Sequence, residues 1–297
     1  MRDCRCWACR WAGRPMACRW GCSARRAGIA TRYCSAGVAC WQKFLNEEPD
    51  MDGEHKYLFD LQGFIVLKGV VPDEVVTACN AALDRFEQMD ASDYPPPLQL
   101  GQERSAENLY ISNILEGDPV FRSLIDIPEV LDVVAEVTGG PYRLNHTYTI
   151  YRWGGGFTGL HMHGTPIIPK CQYHCRNGQM VSTLTKAVFP MLDCGEEDGC
   201  FAAIPGAHKS NFERPWGNHP GENPALQGIP AAAGDAIIFT EALTHGSLIN
   251  TSGRPRRTLY YCYSTGYMPD WGGQHLRFSE RIYQDLPDHQ REILDLK

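Results

Sequence analysis

From Tyr142 the chain alternates, with Leu144, His146, Tyr148 and Ile150 set between Asn145, Thr147, Thr149 and Tyr151. A period of two belongs to a strand, because successive side chains leave opposite faces of it. Further short apolar runs follow at 184–192, 200–204, 235–240 and 258–264, separated by clusters of Gly, Pro and Asn. Several short strands punctuated in this way predict a mainly β chain, a β-sandwich or jelly roll. The bland account of His146 on such a strand is a core histidine, and it is the one preferred.

Upstream the pattern is helical. Phe64-Ile65-Val66-Leu67 is a short apolar run suited to a buried strand, and Val70-Val71-Pro72-Asp73 then opens a helix. Pro72 and Asp73 suit a first turn, where a missing amide hydrogen costs little and a carboxylate meets the helix dipole. Val75, Val76, Cys79, Leu83 and Phe86 follow at helical spacing. Residues 93–97 hold three consecutive prolines and read as a loop. Residues 119–126 and 128–138 read as two short helices, the second stopped by Gly139-Gly140, and the helices are expected to end there. The predicted architecture is thus a jelly roll with supporting N-terminal helices.

The first 32 residues differ from the rest, with eight Arg, no Lys and Asp3 as the one acidic group. Seven of the 13 cysteines also lie before residue 41. Cys4-Arg-Cys6 and Cys6-x-x-Cys9 overlap, and no second well-spaced pair follows, which argues against a zinc module. Residues 1–50 therefore read as a Cys/Arg-rich leader and linker, disordered or targeting, with 41–56 as the polar linker and the packed domain within 51–297. Residues 33–297 carry 20 basic against 34 acidic side chains, a poor nucleic-acid binder. No run approaches the roughly 20 apolar residues of a membrane span. The six scattered cysteines of the body fit a reduced, intracellular protein, cytoplasmic or organellar if the leader is a transit peptide.

The chemistry starts at His161-Met162-His163-Gly164. On an extended segment two histidines two apart project to one face and can share a metal ion. Alone the pair is a weak motif. It gains weight from Gly234-Asp235-Ala236-Ile237-Ile238-Phe239, Thr244-His245-Gly246-Ser247 and Arg256-Arg257-Thr258-Leu259. A jelly roll can set His245 opposite His161, with an arginine one strand on as a fork for a carboxylate.

These stretches, with Gly63 to Leu67, Val71-Pro72-Asp73-Glu74 and the run from Asp198 to Lys209, resemble the phytanoyl-CoA dioxygenase family of iron(II)- and 2-oxoglutarate-dependent oxygenases, from about Phe59 to about Pro269. The resemblance implies a double-stranded β-helix with metal at one mouth, His161 and His245 as ligands, and Arg256 on the distal carboxylate of 2-oxoglutarate. It also implies dioxygen as co-substrate and hydroxylation of a small organic molecule. Arg257 is the neighbouring alternative, which alternation points to the opposite face.

One departure stands out. The family pattern His-x-Asp is His-x-His here, so the usual two-histidine, one-carboxylate set is not written in this stretch. Three accounts remain open: His163 is the third ligand, the branch uses no carboxylate, or the site is inactive. His174 is a reserve ligand. A non-catalytic metal or small-molecule-binding module, halide-using chemistry at an open metal position, and hydrolysis at a three-histidine zinc are the alternative functions. His208 and Asp198-Gly199 read as parts of turns. Loops 94–102, 166–180 and 212–227 are expected to grip the substrate, with Tyr173, Trp216, Tyr267 and Trp271 as candidate pocket aromatics.

Overall fold

The computed structural model describes residues 51–162, 168 and 170–294. His163, Gly164 to Ile167, Pro169 and the leader lie outside the described residues.

The first element is a helix, α1 (Gly53–Gln62), whose first turn takes in residues 53–56 of the expected linker. The correction has a local cause: the Asp52 carboxylate accepts from the His55 amide, and Gly63, at φ 87°, closes the far end. β1 (Phe64–Leu67) and α2 (Asp73–Gln88) follow as expected. Val76, Cys79, Leu83 and Phe86 are buried, and Val75 sits at the margin. The 119–126 stretch forms a 3-10 turn over Pro119–Leu124 rather than an α-helix. Then comes α3 (Pro128–Thr138), which ends on Gly139 in the left-handed conformation.

Eleven strands carry the remaining body: β2 (Gln99–Leu100), β3 (Asn108–Ser112), β4 (Tyr142–Arg152), β5 (Tyr173–Arg176), β6 (Gln179–Ser182), β7 (Leu184–Pro190), β8 (Phe201–Ala203), β9 (Gln227–Ile229), β10 (Ala236–Thr240), β11 (His245–Ser247) and β12 (Arg256–Thr265). Strands β1-β10-β7-β12-β4-β3-β2 form one antiparallel sheet in that order, and β11-β8-β9 form a second. β5 and β6 make a hairpin that begins in the stretch expected as the 166–180 loop and runs on to Ser182. Two short C-terminal helices, α4 (Glu280–Asp285) and α5 (Asp288–Leu294), overturn the expectation that helices end at Gly140.

The large sheet is buried on both faces, which is why its strands read as nearly continuous apolar runs. Its outer face (Tyr151, Ala187, Phe189, Ile238, Leu259, Tyr261, Tyr263) packs against the helices. Tyr151 and Tyr263 donate their hydroxyls to the carbonyls of Leu83 and Ile125. The inner face (Tyr148, Ile150, Val188, Ile237, Phe239, Tyr260, Cys262) meets Phe201 and Ala203 of the second sheet. Leu144 was expected to share a face with His146. A register shift between Cys262 and Tyr263 pairs His146 with Cys262 but Leu144 with Tyr263, leaving Asn145 as the extra residue. Leu144 therefore joins the outer core, while His146 points inward against His275 and Trp271. At one end of this double-sheeted jelly roll, termed the mouth, β11 is hydrogen-bonded to the segment leading into His161, through Ser247 to Thr158 and through His245 to His161. Among the described residues no helix is long and apolar enough to cross a membrane.

Candidate metal centre and anion site

His161 and His245 come from distant parts of the chain and meet as an isolated antiparallel bridge, each amide donating to the other's carbonyl at 3.0 and 3.1 Å. Their rings lie 4.2 Å apart between centroids. His245 is buried against Phe239 and Phe201; His161 is half-buried at the mouth. Each Nδ1 sits against a backbone carbonyl, Gly159 for His161 (2.9 Å) and Leu243 for His245 (2.8 Å). A carbonyl only accepts, so Nδ1 carries the proton in both rings and each Nε2 presents a lone pair, the arrangement by which proteins orient metal-binding imidazoles. Burial lowers the pKa of both rings, well below the ordinary value for His245, where His161 and Lys186 add to the effect. Both are therefore neutral, and a metal need not displace a proton from either.

A carboxylate that sequence reasoning missed completes the cluster. Donor atoms of His161, Glu241 and His245 all lie within 4.8 Å of one another, with Glu241 Oε2 3.8 Å from His245 Nε2. Glu241 leaves the end of β10, its amide donating to Leu184 O at 2.9 Å. Beside it, Lys186 on β7 holds its ammonium 2.7 Å from Oε2, over the rings of Tyr148 and Phe239. Burial works against the Lys186 charge, but Glu241 together with Cys262 and Tyr110 outweighs it, and the pKa is raised. The contact is an ion pair off hydrogen-bond geometry, since Oε2 makes no hydrogen bond. The signal was in the strand: Lys186 occupies an inward position between Leu184 and Val188, where an unpaired charge is not tolerated.

His163 lies outside the described residues, but the premise that placed it beside His161 does not hold. Alternation needs an extended residue between them, and Met162 has φ 61°, in the left-handed region that non-glycine residues rarely adopt. His174 is exposed on β5 and is not in the cluster. His208 is buried under Tyr173, with Nε2 against Asp60 O, in a structural role as expected.

Arg256 opens β12 on the inner face, 2% exposed, donating to Gly199 O at 2.7 Å and to the Tyr260 hydroxyl at 3.2 Å. Arg257 points outward and pairs with Asp84 and Glu87 of α2, which alternation predicted. Sequence reasoning missed Arg152, the register partner of Arg256 on β4. It is 5% exposed, donates to Thr158 Oγ1, and its pKa is lowered to about 10 by burial and by Arg256. Among the described residues neither guanidinium has an ion-pair partner, and the carboxylate of Asp198, next in sequence to Gly199, is clamped by Arg254. Two buried guanidiniums side by side without a carboxylate form a ready anion site.

Two clefts flank the mouth. One, about 460 Å³, is lined by Asp60, Tyr173, His208, Lys209 and Ala242. The other, about 290 Å³, is lined by Phe212, Arg214, Trp216 and Thr244, the neighbour of His245. Of the expected 212–227 loop, residues 212–216, Trp216 among them, line this cleft. Trp271 instead packs on the inner core, and Tyr267 is exposed.

Known proteins share this fold. HygX from Streptomyces hygroscopicus, in a structure with nickel and 2-oxoglutarate bound, superposes with a TM-score of 0.64 at 22% identity, covering 75% of this chain and 90% of HygX. SnoK, a non-heme alpha-ketoglutarate-dependent carbocyclase from nogalamycin biosynthesis, gives 0.55 at 19% identity over 73% and 85%. In sequence, the uncharacterized protein Rv1501 of Mycobacterium tuberculosis is 22% identical over 239 residues, 78% of this chain and 82% of its own. Residues 59–258, from α1 through the anion site, match the family described as phytanoyl-CoA dioxygenase (PhyH), and the chain belongs to that family.

Proposed function

We propose that the protein is an iron(II)- and 2-oxoglutarate-dependent dioxygenase that hydroxylates a small organic substrate. The observation that carries the reading is the pairing of two imidazoles, each with Nδ1 held by a carbonyl and its ligand atom within 4.8 Å of the other's, and two guanidiniums without an ion-pair partner on the same inner wall. The donors fit iron(II), which takes imidazole and carboxylate ligands with open positions kept for other groups. Bound there, iron supplies the oxidising chemistry that couples dioxygen and loss of carbon dioxide from 2-oxoglutarate to substrate oxidation.

The chain's own residues hold and orient. His161 and His245 fix the metal, and Arg256, joined by Arg152, holds the distal carboxylate of 2-oxoglutarate. The spacing supports this. Thr158, which receives the Arg152 hydrogen bond, also donates its amide to Ser247 Oγ, two residues beyond His245. Two strand residues span roughly 7 Å, comparable to the reach between the carboxylates of a five-carbon diacid. Phe201 and Phe239 keep water from the His245 side. The cleft of Phe212, Arg214 and Trp216 admits the substrate.

The test is turnover: protein with iron(II), 2-oxoglutarate and dioxygen should release succinate, and His161→Ala or His245→Ala should abolish it. Iron binding without succinate, with and without candidate substrates, would favour a non-catalytic module.

A further inference from the structure

We propose that Glu241, and not the residue two after His161, supplies the carboxylate of the metal centre, and that Lys186 is the cation that holds its place when metal is absent. The proposal rests on the metal-site reading above and names a ligand outside the His-x-His stretch.

Three observations converge. First, ligands at about 2.0–2.2 Å from one ion stand no more than roughly 4.4 Å apart. The 3.8 Å between Glu241 Oε2 and His245 Nε2 already meets this, and the 4.8 Å bound on the trio needs only a small contraction. Second, Glu241 is 2% exposed, and its Oε2 is compensated by the Lys186 ammonium at 2.7 Å without a well-formed hydrogen bond, so the oxygen keeps room for a further partner. That oxygen faces His245. Third, Met162 has φ 61°, so the chain after His161 is not a regular strand, and strand alternation no longer speaks for a ligand at position 163.

Local folding explains how a residue four before His245 reaches the same point. The Leu243 amide donates to Thr240 O, so the chain turns between β10 and β11. Glu241 and His245 thereby face each other across the turn. The electrostatics agree: two neutral imidazoles and one carboxylate give an iron(II) centre a net charge of +1, where three imidazoles would give +2. Lys186 shares Oε2 with the metal position, so a divalent ion and the ammonium compete for one oxygen.

The experiment is Mn(II) titration of the full chain, read as free Mn(II) by EPR, with the Co(II) visible spectrum reporting coordination. His161→Ala and His245→Ala should each lose Mn(II). Glu241→Gln, and Glu241→Gln/Lys186→Met in which no buried charge is left alone, should weaken Mn(II) by more than about a hundredfold, beyond the range of an outer-shell partner. His163→Ala should bind as the parent does. Lys186→Met, which removes the competing cation, should tighten Mn(II). A folded double variant with parental affinity, or loss of Mn(II) in His163→Ala, would overturn the assignment while leaving the two-histidine site intact. Unchanged or weaker binding in Lys186→Met would overturn the shared-oxygen relation. Parental binding in both histidine variants would instead overturn the metal-site reading itself.

Discussion

At the residue scale the two arginines of β12 face opposite sides of the sheet, and experiment can tell their roles apart. Arg256→Ala should raise the 2-oxoglutarate requirement at least about tenfold, ~1.4 kcal/mol, with Mn(II) affinity unchanged, and Arg256→Lys should recover only part because it lacks the planar fork. Arg152→Met should act in the same direction. Arg257→Ala should leave the 2-oxoglutarate requirement alone and lower the thermal midpoint, since its guanidinium ties β12 to Asp84 and Glu87. Calorimetry with 2-oxoglutarate on the Mn(II)-loaded proteins checks the first two. His161, His245 and Arg256 were legible because each sits in a local word with family spacing. Glu241 was not, because a carboxylate after a buried strand looks like any turn residue until the fold turns it back toward His245. Arg152 was hidden likewise, as the last residue of a strand whose register was unknown.

At the element scale the mouth depends on how closely β11 approaches the segment before His161. Any Cβ on Gly246 would lie 2.5 Å from Thr158 O, a backbone atom with nowhere to go. Gly246→Ala should therefore force the two segments apart and cut Mn(II) affinity by at least about tenfold, a loss of ~1.4 kcal/mol, while circular dichroism stays native. Parental affinity would mean the bridge tolerates the displacement. The β alternation was readable from sequence and so was the jelly roll, yet the bulge at Asn145 was not, because a bulge is a property of two paired strands and alternation describes one. The hairpin of β5 and β6 escaped for a related reason: after Tyr173, residues 174–176 are exposed, so no apolar period marks the strand.

For the whole molecule, buried neutral histidines set the acid limit. Burial holds His208 and His275 at about 4, against 6.5 for the free side chain. Between those values the unfolded chain binds protons that the folded chain refuses, so their contribution is fully present above pH 6.5 and is lost as pH falls, by up to about 1.4 kcal/mol per pH unit for each. The metal-free thermal midpoint should drop steadily from pH 6.5 to 4, and a flat profile would contradict the burial of these rings. A chain starting at Met51, which is itself buried in the core, should keep its midpoint and its Mn(II) affinity. The bridge between His161 and His245 also has a meaning for the life of the protein. An ion gripping both rings is a removable rivet through two segments that meet late in the chain's own order, and the unfolded chain cannot hold it. At a free concentration a hundred times its dissociation constant, such a rivet adds about 2.7 kcal/mol. If the two rings hold iron, the metal-starved chain keeps only the backbone hydrogen bonds of this bridge, and limited proteolysis should then cut it sooner, so the amount of protein in a cell should follow its iron supply.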